Sequence, residues 1–256
     1  MSTFSEYSTR YTTIKMERDA EGILLVTFHT DGKPLRWGPV PHTEFPAAFH
    51  DIGTDKANRV IILTGTGDEF SGPVPPAATR MRRPALEWDR IVWEGRNLLT
   101  NLLNIEVPMI GVINGPALRH SEIPLLCDIV LADEKASLQD AGHFDSGFVP
   151  GDGVNIIYPM LMGANRGRYF LLTGQSIGAR EAKELGLVNE VLPTARLLER
   201  AWEHARTLAK HPDLHLRYTR MALTETIKKQ LRDHLGYSLV LEALANMERA
   251  EPPKAG

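Results

Sequence analysis

Strand-like hydrophobic patterns dominate the first part of the chain. Apolar and polar residues alternate over 13–18, and a turn at 19–22 leads into the apolar run 23–28, so the sequence predicts a β-hairpin here. Further short apolar runs, each separated from the next by a stretch with helical spacing, lie at 60–64, 109–113 and 129–132. This alternation of strands and helices is typical of an α/β core.

Helical spacing is clearest between the apolar runs 60–64 and 109–113 and again in the second half of the chain. The first of these helices ends before Pro108 and carries near one face Leu86, Ile91, Gly95, Leu98 and Leu102. After Asp152 the strand signals fade, and helical spacing follows at 154–161, 167–172, 179–185, 196–209 and from 214 onward. The pattern therefore predicts a helix that covers a sheet and a largely helical second half.

The composition is that of an ordinary globular protein. The chain has 256 residues, of which 43% are hydrophobic and 24% charged, enough for one large domain with or without a helical appendage. The formal net charge of −3 gives no electrostatic reason to expect nucleic acid or an anionic membrane as a partner. A short basic run at Arg80, Arg82 and Arg83 is compatible with phosphate binding or with a solvated turn.

Cysteine usage and the first residues indicate the compartment. Cys127 is the single cysteine, and its apolar neighbours predict a buried thiol with no internal disulfide. The first residues lack the apolar segment of a secretory signal, and no apolar run approaches the length that crosses a bilayer. We therefore expect a cytoplasmic protein, because an unpaired thiol fits a reducing compartment.

The segment 114–152 carries two histidines and several carboxylates in loops between core elements. His120 follows a strand that ends in a Gly-Pro turn, His143 lies in a Gly-flanked loop, and Asp152 follows a Pro-Gly pair. Imidazoles take and return protons near neutral pH, and a carboxylate can fix which ring nitrogen is free. The segment therefore predicts proton-transfer chemistry. By residue type alone, His143 is equally compatible with a turn histidine and Asp152 with an N-cap.

Several motifs in this order resemble the crotonase superfamily. They are ILTGTGDEFSG at 62–72, VINGPA at 112–117, CDIVLADEKASLQD at 127–140, GFVPGDG at 147–153 and LLTGQSIGAREAKELGLVNEVLP at 171–193. The resemblance implies an α/β fold, a crotonase-like spiral of repeated ββα units over 1–193. It further implies a C-terminal helical trimerisation region over 194–256, and assembly as a homotrimer or dimer of trimers.

The chain departs from the pattern of the acyl-CoA enzymes in this superfamily. Those enzymes hold a thioester oxygen with two backbone amides, of which the first survives here as Phe70-Ser71-Gly72. The second is replaced by Leu118-Arg119-His120-Ser121, where bulky side chains stand in place of a Gly-rich stretch. His143 occupies the position of a hydratase acid, and PGAGG has become Pro150-Gly151-Asp152-Gly153. These departures favour other chemistry, with acyl-CoA hydration or isomerisation as the alternative.

Five residues resemble the β-diketone hydrolase subgroup that includes 6-oxocamphor hydrolase: Trp37, His120, His143, Asp152 and Glu242. This resemblance implies a cofactor-independent hydrolase that cleaves a carbon–carbon bond of a cyclic β-diketone by a retro-Claisen route to a keto acid. It implies that His143 with Asp152 activates water and that His120 with Trp37 binds the carbonyl that is not attacked. His120 is also expected to protonate the leaving carbon, and Glu242 to contact the substrate.

Alternatives remain for several of these positions. Trp37 is also compatible with packing. Glu242 lies on an apolar helical stripe, where a carboxylate needs a partner such as an arginine across a subunit interface. Glu122 matches another hydratase acid and is compatible with a structural hydrogen bond, while Asp145 is compatible with orienting His143 or with facing water. Separations of 23 and 9 residues between the two histidines and Asp152 carry no metal-ligand signature, so we expect no metal.

Overall fold

The computed structural model describes residues 2–73 and 83–248, with the side chain of Asp145 left out. Most of the proline-rich segment 73–78 and two arginines of the basic run, Arg80 and Arg82, lie outside the described residues. No helix in the described ranges is both long enough and apolar enough to cross a membrane.

Strands and helices alternate along the chain. The strands are β1 (Ile14–Arg18), β2 (Ile23–Phe28), β3 (Arg36–Trp37), β4 (Val60–Gly65), β5 (Gly72–Pro73), β6 (Met109–Ile113), β7 (Ile129–Asp133), β8 (Ser137–Leu138), β9 (Ile177–Gly178) and β10 (Glu190–Leu192). The helices are α1 (Phe4–Tyr7), α2 (Pro39–Thr54), α3 (Ala85–Leu103), α4 (Glu122–Leu125), α5 (Val154–Met162), α6 (Ala164–Thr173), α7 (Ala179–Glu184), α8 (Thr194–Leu208) and α9 (Asp213–Met247).

The central sheet has six strands in the order β1-β2-β4-β6-β7-β10. β1 and β2 pair antiparallel, which confirms the predicted hairpin, and every other neighbouring pair is parallel. Val60 and Ile62 face α8 and pack in one cluster with Ala201. Ile61 and Leu63 point the other way, into the main core that includes α2 and α3. Because both faces are covered, these strands are continuous apolar runs rather than alternating ones.

A second row of very short strands lies beside the central sheet. In this short-strand row β3 pairs parallel with β5, Ser71 bridges Ala117, and Ala117 bridges Leu138 of β8. Each long strand is thus followed by a short segment that joins the row, which is the repeated ββα unit of the predicted spiral. The chain leaves the row into the loops that carry the candidate site residues.

The structure differs from the predictions in several elements. Helix α2 was not predicted, because three prolines interrupt its sequence; its buried side chains include Phe45 and Phe49. Leu86 was predicted on the covered face of α3, yet it is 86% exposed because it lies in the first turn of the helix, ahead of the buried residues. The strands β8, β9 and β10 were missed, since runs of two or three residues show no periodicity. Helix α8 begins at Thr194, where the C-terminal region was predicted to begin, and the trimerisation role of that region stays a prediction.

Arg220 joins α9 to the central sheet and gives a test of this packing. Its side chain is 2% exposed, donates to Asp128 Oδ2 at 2.8 Å, and also donates to the carbonyls of Leu103 and Ile105. Arg220→Ala should lower the free energy of unfolding by about 2–4 kcal/mol, since it leaves two buried carbonyls without a donor and removes the cation paired with Asp128. Urea denaturation measures this loss. Arg232→Ala on the exposed side of α9 is the control and should change stability by less than about 0.5 kcal/mol.

Candidate active site

A cavity of about 300 Å³ opens beside the short-strand row, bounded by α3 and α9. All five residues that the resemblance assigned to the site contribute to its wall: Trp37, His120, His143, Asp152 and Glu242. Other side chains in the wall, which the sequence did not assign to the site, are His42, Trp88, Glu94, Arg119, Asp140 and Phe148. The structure therefore brings together residues that are up to 205 positions apart in the chain.

His143 lies among three carboxyl groups. Its Nδ1 is 2.5 Å from Asp140 Oδ1, and its Nε2 is 3.3 Å from Asp152 Oδ2 and 3.9 Å from Glu242 Oε1. The sequence suggested Asp152 as the carboxylate that orients the ring, with Asp145 as an alternative whose side chain lies outside the described part of the chain. The structure gives that hydrogen bond to Asp140 and places Asp152 at the opposite nitrogen. Asp152 therefore faces the nitrogen that is available for chemistry.

The charge state of His143 follows from these neighbours. Burial alone would lower the pKa of His143, but Asp152 and Asp140 outweigh it and raise the pKa to about 10. Burial raises the pKa of Glu242 to about 8, against the opposing charge of His143. At neutral pH the free protein thus holds a protonated imidazole between two carboxylates, with a neutral carboxylic acid beside it.

His120 is fixed from three sides. Its backbone adopts a left-handed conformation with φ of 49°, which is uncommon for a residue with a side chain. The ring lies against the indole of Trp37, with centroids 3.8 Å apart, and its Nδ1 is 2.6 Å from Glu122 Oε1. Asp152 Oδ2 lies 3.5 Å from the same nitrogen. The packing and the hydrogen bond together hold the ring at the cavity wall.

Glu122 decides which nitrogen of His120 carries the proton. Burial and the neighbouring Asp152 raise the pKa of Glu122 well above its usual range, which favours the protonated carboxyl. Burial lowers the pKa of His120 to about 3, so its ring is neutral. A protonated carboxyl donates to Nδ1, and the ring hydrogen then lies on Nε2. His120 can therefore donate a hydrogen bond to a ligand without carrying a charge.

The turn at 150–153 places Asp152 against α9. At Gly151 a Cβ would overlap the carbonyl of Ser238, and Ser238 Oγ donates to the Gly151 carbonyl at 2.8 Å. This close approach brings Asp152 beside Glu242, one turn further along α9. The N-cap of α5 is Gly153, so the interpretation of Asp152 as an N-cap is wrong.

The predicted apolar stripe of α9 is confirmed, with each of its leucines buried: Leu231, Leu235 and Leu239. Glu242 continues this stripe into the cavity and is 9% exposed. Opposite charges that act on the Glu242 carboxyl come from His143 and Arg119 of the same chain, and like charges come from Asp152 and Asp140. His143 is thus a partner for this carboxyl within one subunit, and an arginine across an interface stays a prediction.

Two groups of site residues were missed by the sequence analysis. Asp140 stands three positions before His143, and the D-x-x-H spacing was a signal that could have identified it. His42, on α2, bonds through Nδ1 to Glu94 of α3 at 2.8 Å, and Thr43 donates to the same carboxylate at 2.8 Å. No sequence signal links these last residues, because they meet through the packing of α2 on α3.

The first oxyanion amide that the sequence suggested is not available. In the FSG segment the Ser71 N–H donates to the Pro116 carbonyl at 3.3 Å, and the Gly72 N–H donates to the Leu35 carbonyl at 2.9 Å. The next residue is Pro73, which has no N–H. The expectation that this amide survives is therefore corrected: the short-strand row uses the donors that a thioester oxygen would need.

One group among the described residues has possible ligand atoms close enough together to hold a metal ion. His120 Nδ1 and carboxylate oxygens of Glu122 and Asp152 lie within 4.8 Å of one another. Ligand atoms around a tetrahedral ion are separated by roughly 3.3 Å, given bonds of about 2.0–2.2 Å. The 2.6 Å contact between His120 and Glu122 is shorter than that and matches a hydrogen bond instead. The geometry therefore favours a proton, not a metal, between these groups.

The raised pKa of His143 can be measured without any substrate. In an NMR titration of imidazole resonances, we expect His143 to stay protonated well above pH 6.5, its ordinary value, because Asp152 and Asp140 stabilise the cation. Asp140→Asn should lower this pKa by at least about one unit, since it removes the closer negative charge. Asp89→Asn, an exposed carboxylate of α3, is the control and should leave the titration unchanged. A His143 titration near pH 6.5 in the unaltered protein would contradict the electrostatic argument.

Comparison with known proteins places this fold and cavity in a family. The sequence profile of the enoyl-CoA hydratase/isomerase family matches residues 21–245. This chain belongs to that family, within the crotonase superfamily. Among curated members, it is 28% identical to a probable peroxisomal enoyl-CoA hydratase of Arabidopsis thaliana over 90% of this chain and 83% of the relative. It is 33% identical to a putative enoyl-CoA hydratase of Thermus thermophilus over 78% of each chain.

One solved structure, of a protein named for a different activity, is more similar to this chain than these two relatives are. It is a β-diketone hydrolase from the cyanobacterium Anabaena, bound to (S)-3-oxocyclohexyl acetic acid, with 48% identity and a TM-score of 0.92. The match covers 95% of this chain and 97% of that protein. An enoyl-CoA hydratase/isomerase from Mycobacterium paratuberculosis has the same fold at 24% identity, with a TM-score of 0.84 and coverage of 92% and 94%. The fold is thus shared by both activities, and the site residues must distinguish them.

Proposed function

We propose that this protein hydrolyses a carbon–carbon bond of a cyclic β-diketone by a retro-Claisen route and releases a keto acid. The observation that carries the proposal is the cavity in which His143, Asp152, His120 and Trp37 lie together. The similarity to the β-diketone hydrolase of Anabaena supports the same reaction class. Water is the nucleophile and the diketone itself accepts the electrons, so the reaction needs no cofactor.

In the first step, water attacks one carbonyl carbon of the diketone. The water oxygen bonds to that carbon, the carbonyl electrons move to its oxygen, and the water proton goes to Nε2 of neutral His143. Asp140 fixes the ring through Nδ1, and Asp152 stabilises the imidazolium that forms. The same two carboxylates raise the pKa of His143, which makes it a stronger base but leaves less of it neutral at pH 7.

In the second step, the carbonyl re-forms and the bond from the attacked carbon to the carbon between the two carbonyl groups breaks. Its electron pair passes into an enolate on the second carbonyl, whose oxygen is held by Nε2–H of His120 and the indole N–H of Trp37. His120 then delivers the Nε2 proton to carbon, while the Glu122 carboxyl supplies a proton at Nδ1, so the ring never becomes an anion. The cycle closes when Nε2 of His120 takes a proton from water in the cavity while the Nδ1 proton returns to Glu122, and His143 gives the proton it accepted back to water.

The competing function is acyl-CoA hydration or isomerisation, which most relatives' names suggest. The hydrogen bonds of the FSG segment argue against it, because they occupy amides that would stabilise a thioester enolate. Incubation with a bicyclic 1,3-diketone and, separately, with crotonyl-CoA tests both functions by product analysis. We expect the diketone to yield a keto acid and crotonyl-CoA to remain unchanged. Hydration of crotonyl-CoA without diketone cleavage would overturn the proposal.

We propose in addition that the protein assembles as a homotrimer or a dimer of trimers, with no nucleic acid or membrane partner. Support comes from large apolar side chains on α9 that are exposed in the single chain, among them Tyr237, Val240, Leu241 and Leu244. Sedimentation equilibrium tests this, and a monomer at micromolar concentration would contradict it. The cytoplasmic location stays a prediction from the sequence.

A further inference from the structure

Arg119 presents a cation to the cavity that the mechanism above does not use. The side chain is partly buried and belongs to the cavity wall together with Asp140, His143 and Glu242. Its guanidinium lies against Gly142, where a Cβ would overlap Nη1, so the missing side chain of that glycine makes room for it. The guanidinium is therefore seated immediately beside His143, the next residue in the chain.

The donors of Arg119 are not spent within the described chain. Its Nε is buried without a hydrogen-bond partner among the described residues, and no described carboxylate lies within 4.0 Å of the guanidinium. Burial lowers the pKa of Arg119, against the opposing charges of Asp140, Asp152 and Glu242. Since arginine stays protonated in proteins, a partly buried cation with a free Nε–H belongs to the cavity wall. A donor of this kind lowers the stability of the protein unless a ligand accepts its hydrogen bond.

The proposed reaction creates the kind of ligand that fits. A neutral diketone and a neutral water enter the cavity, and the attacked carbonyl oxygen becomes first an oxyanion and then one oxygen of a carboxylic acid. That acid loses its proton near neutral pH, so one negative charge appears at the carbon that water attacked. Water is activated by His143, and Arg119 is the cation seated beside that residue. A guanidinium binds a carboxylate through two parallel N–H groups.

We propose that Arg119 binds the carboxylate that carbon–carbon cleavage forms, and that it holds the same oxygen earlier as an oxyanion. This proposal rests on the proposed function and names the end of the cavity at which the acid group of the product lies. It makes the protein selective for the charged product over neutral compounds of the same shape. It also assigns a task to the position where the acyl-CoA enzymes have a Gly-rich stretch.

Calorimetric titration with two probes tests the assignment: 3-oxocyclohexyl acetic acid and its methyl ester, both at pH 7. The intact protein should bind the acid more tightly than the ester. Arg119→Gln should weaken binding of the acid by about 10- to 100-fold and binding of the ester by less than about 3-fold, because only the acid loses a charge-assisted pair. Arg119→Lys should fall between the two, since it keeps the charge but not the planar fork. Arg232→Gln, an exposed arginine of α9, is the matched control and should change neither affinity.

A second variant keeps the test decisive if Arg119→Gln does not fold. Gly142→Ala retains the guanidinium but pushes it away by overlap at Nη1, and should also reduce the preference for acid over ester. Equal weakening of both probes, or no preference for the acid in the intact protein, would overturn the role of Arg119. Diketone turnover is measured separately in the intact protein. If the intact protein cleaves the diketone but shows no preference for the acid, the proposed function stands and the role of Arg119 fails. If the intact protein does not cleave the diketone, the proposed function is contradicted independently of the Arg119 result.

Discussion

Replacing His143 with alanine, or Asp152 with asparagine, should lower kcat for diketone cleavage by about 10²- to 10⁴-fold, the range typical of a lost general base. His143 takes the proton of the attacking water, and Asp152, 3.3 Å from its Nε2, stabilises the resulting cation. Circular dichroism should show that both variants fold, although His143→Ala should lower the melting temperature because it removes the buried partner of Asp140 and Asp152. His50→Ala, an exposed histidine of α2, is the control for removing an imidazole and should leave kcat unchanged.

The two losses should be coupled. If His143 and Asp152 act as one unit, the double variant should be little slower than the slower single variant, since the second substitution removes a partner that has already lost its function. A double variant whose deficit equals the product of the single deficits would show independent roles. That outcome would rule out the dyad.

The pH dependence of kcat/KM shows whether the His143 ring or the Asp152 carboxylate accepts the proton of the attacking water. If neutral His143 is the base, log kcat/KM should rise with pH across about pH 5 to 8, because its raised pKa keeps the ring protonated over that range. The sign follows from the cation being the stabilised form in the folded protein. Asp140→Asn should move this limb to lower pH. A flat profile would mean that Asp152 accepts the proton of water directly while His143 stays charged.

Much of the fold could be predicted because its long elements have simple periodicities. The strand β4 is buried at every position, and a continuous apolar run is what a parallel strand covered on both faces requires. The stripe of α9 showed Glu242 among leucines, so its burial was predictable from spacing alone. Helix α2 was hidden by its prolines, although two of them lie in the first turn, where no N–H is needed.

The residues of the candidate site could be predicted from the sequence better than the hydrogen bonds between them. In the short-strand row, Trp37 lies in β3, His120 follows Ala117 and His143 follows β8. The row consists of segments of one to three residues without periodicity. Asp152 was predicted to orient the ring, but Asp140 does so in the structure. This difference depends on where a short loop turns, which no spacing rule fixes. Likewise, the proton between Glu122 and His120 follows from the burial of Glu122 against a ring that is itself 10% exposed, a property of the folded state alone.

Substitution of His120 should change the stereochemistry of the product and not only the rate. The ring is neutral, donates from Nε2, and lies against Trp37 at a centroid distance of 3.8 Å, so it can hold the enolate oxygen and deliver a proton to one face of the carbon. Without it, protons arrive from water on either face. We expect His120→Asn to raise KM by about 10-fold or more, as for a lost hydrogen bond to a developing charge, and to give product of reduced enantiomeric purity.

Asparagine is the first substitution to test, because the backbone of His120 has φ of 49° and asparagine tolerates this conformation better than alanine. Trp37→Phe keeps the stack but removes the indole N–H, so it should raise KM while largely preserving the purity set by His120. Chiral chromatography of the product measures purity, and initial rates give KM. His143→Ala serves as the contrast: its residual product should remain enantiomerically pure, since it slows attack by water before the step that sets configuration. Undiminished purity with an unchanged KM in His120→Asn and His120→Ala would leave His120 as a structural loop residue and remove the proposed proton donor from the mechanism.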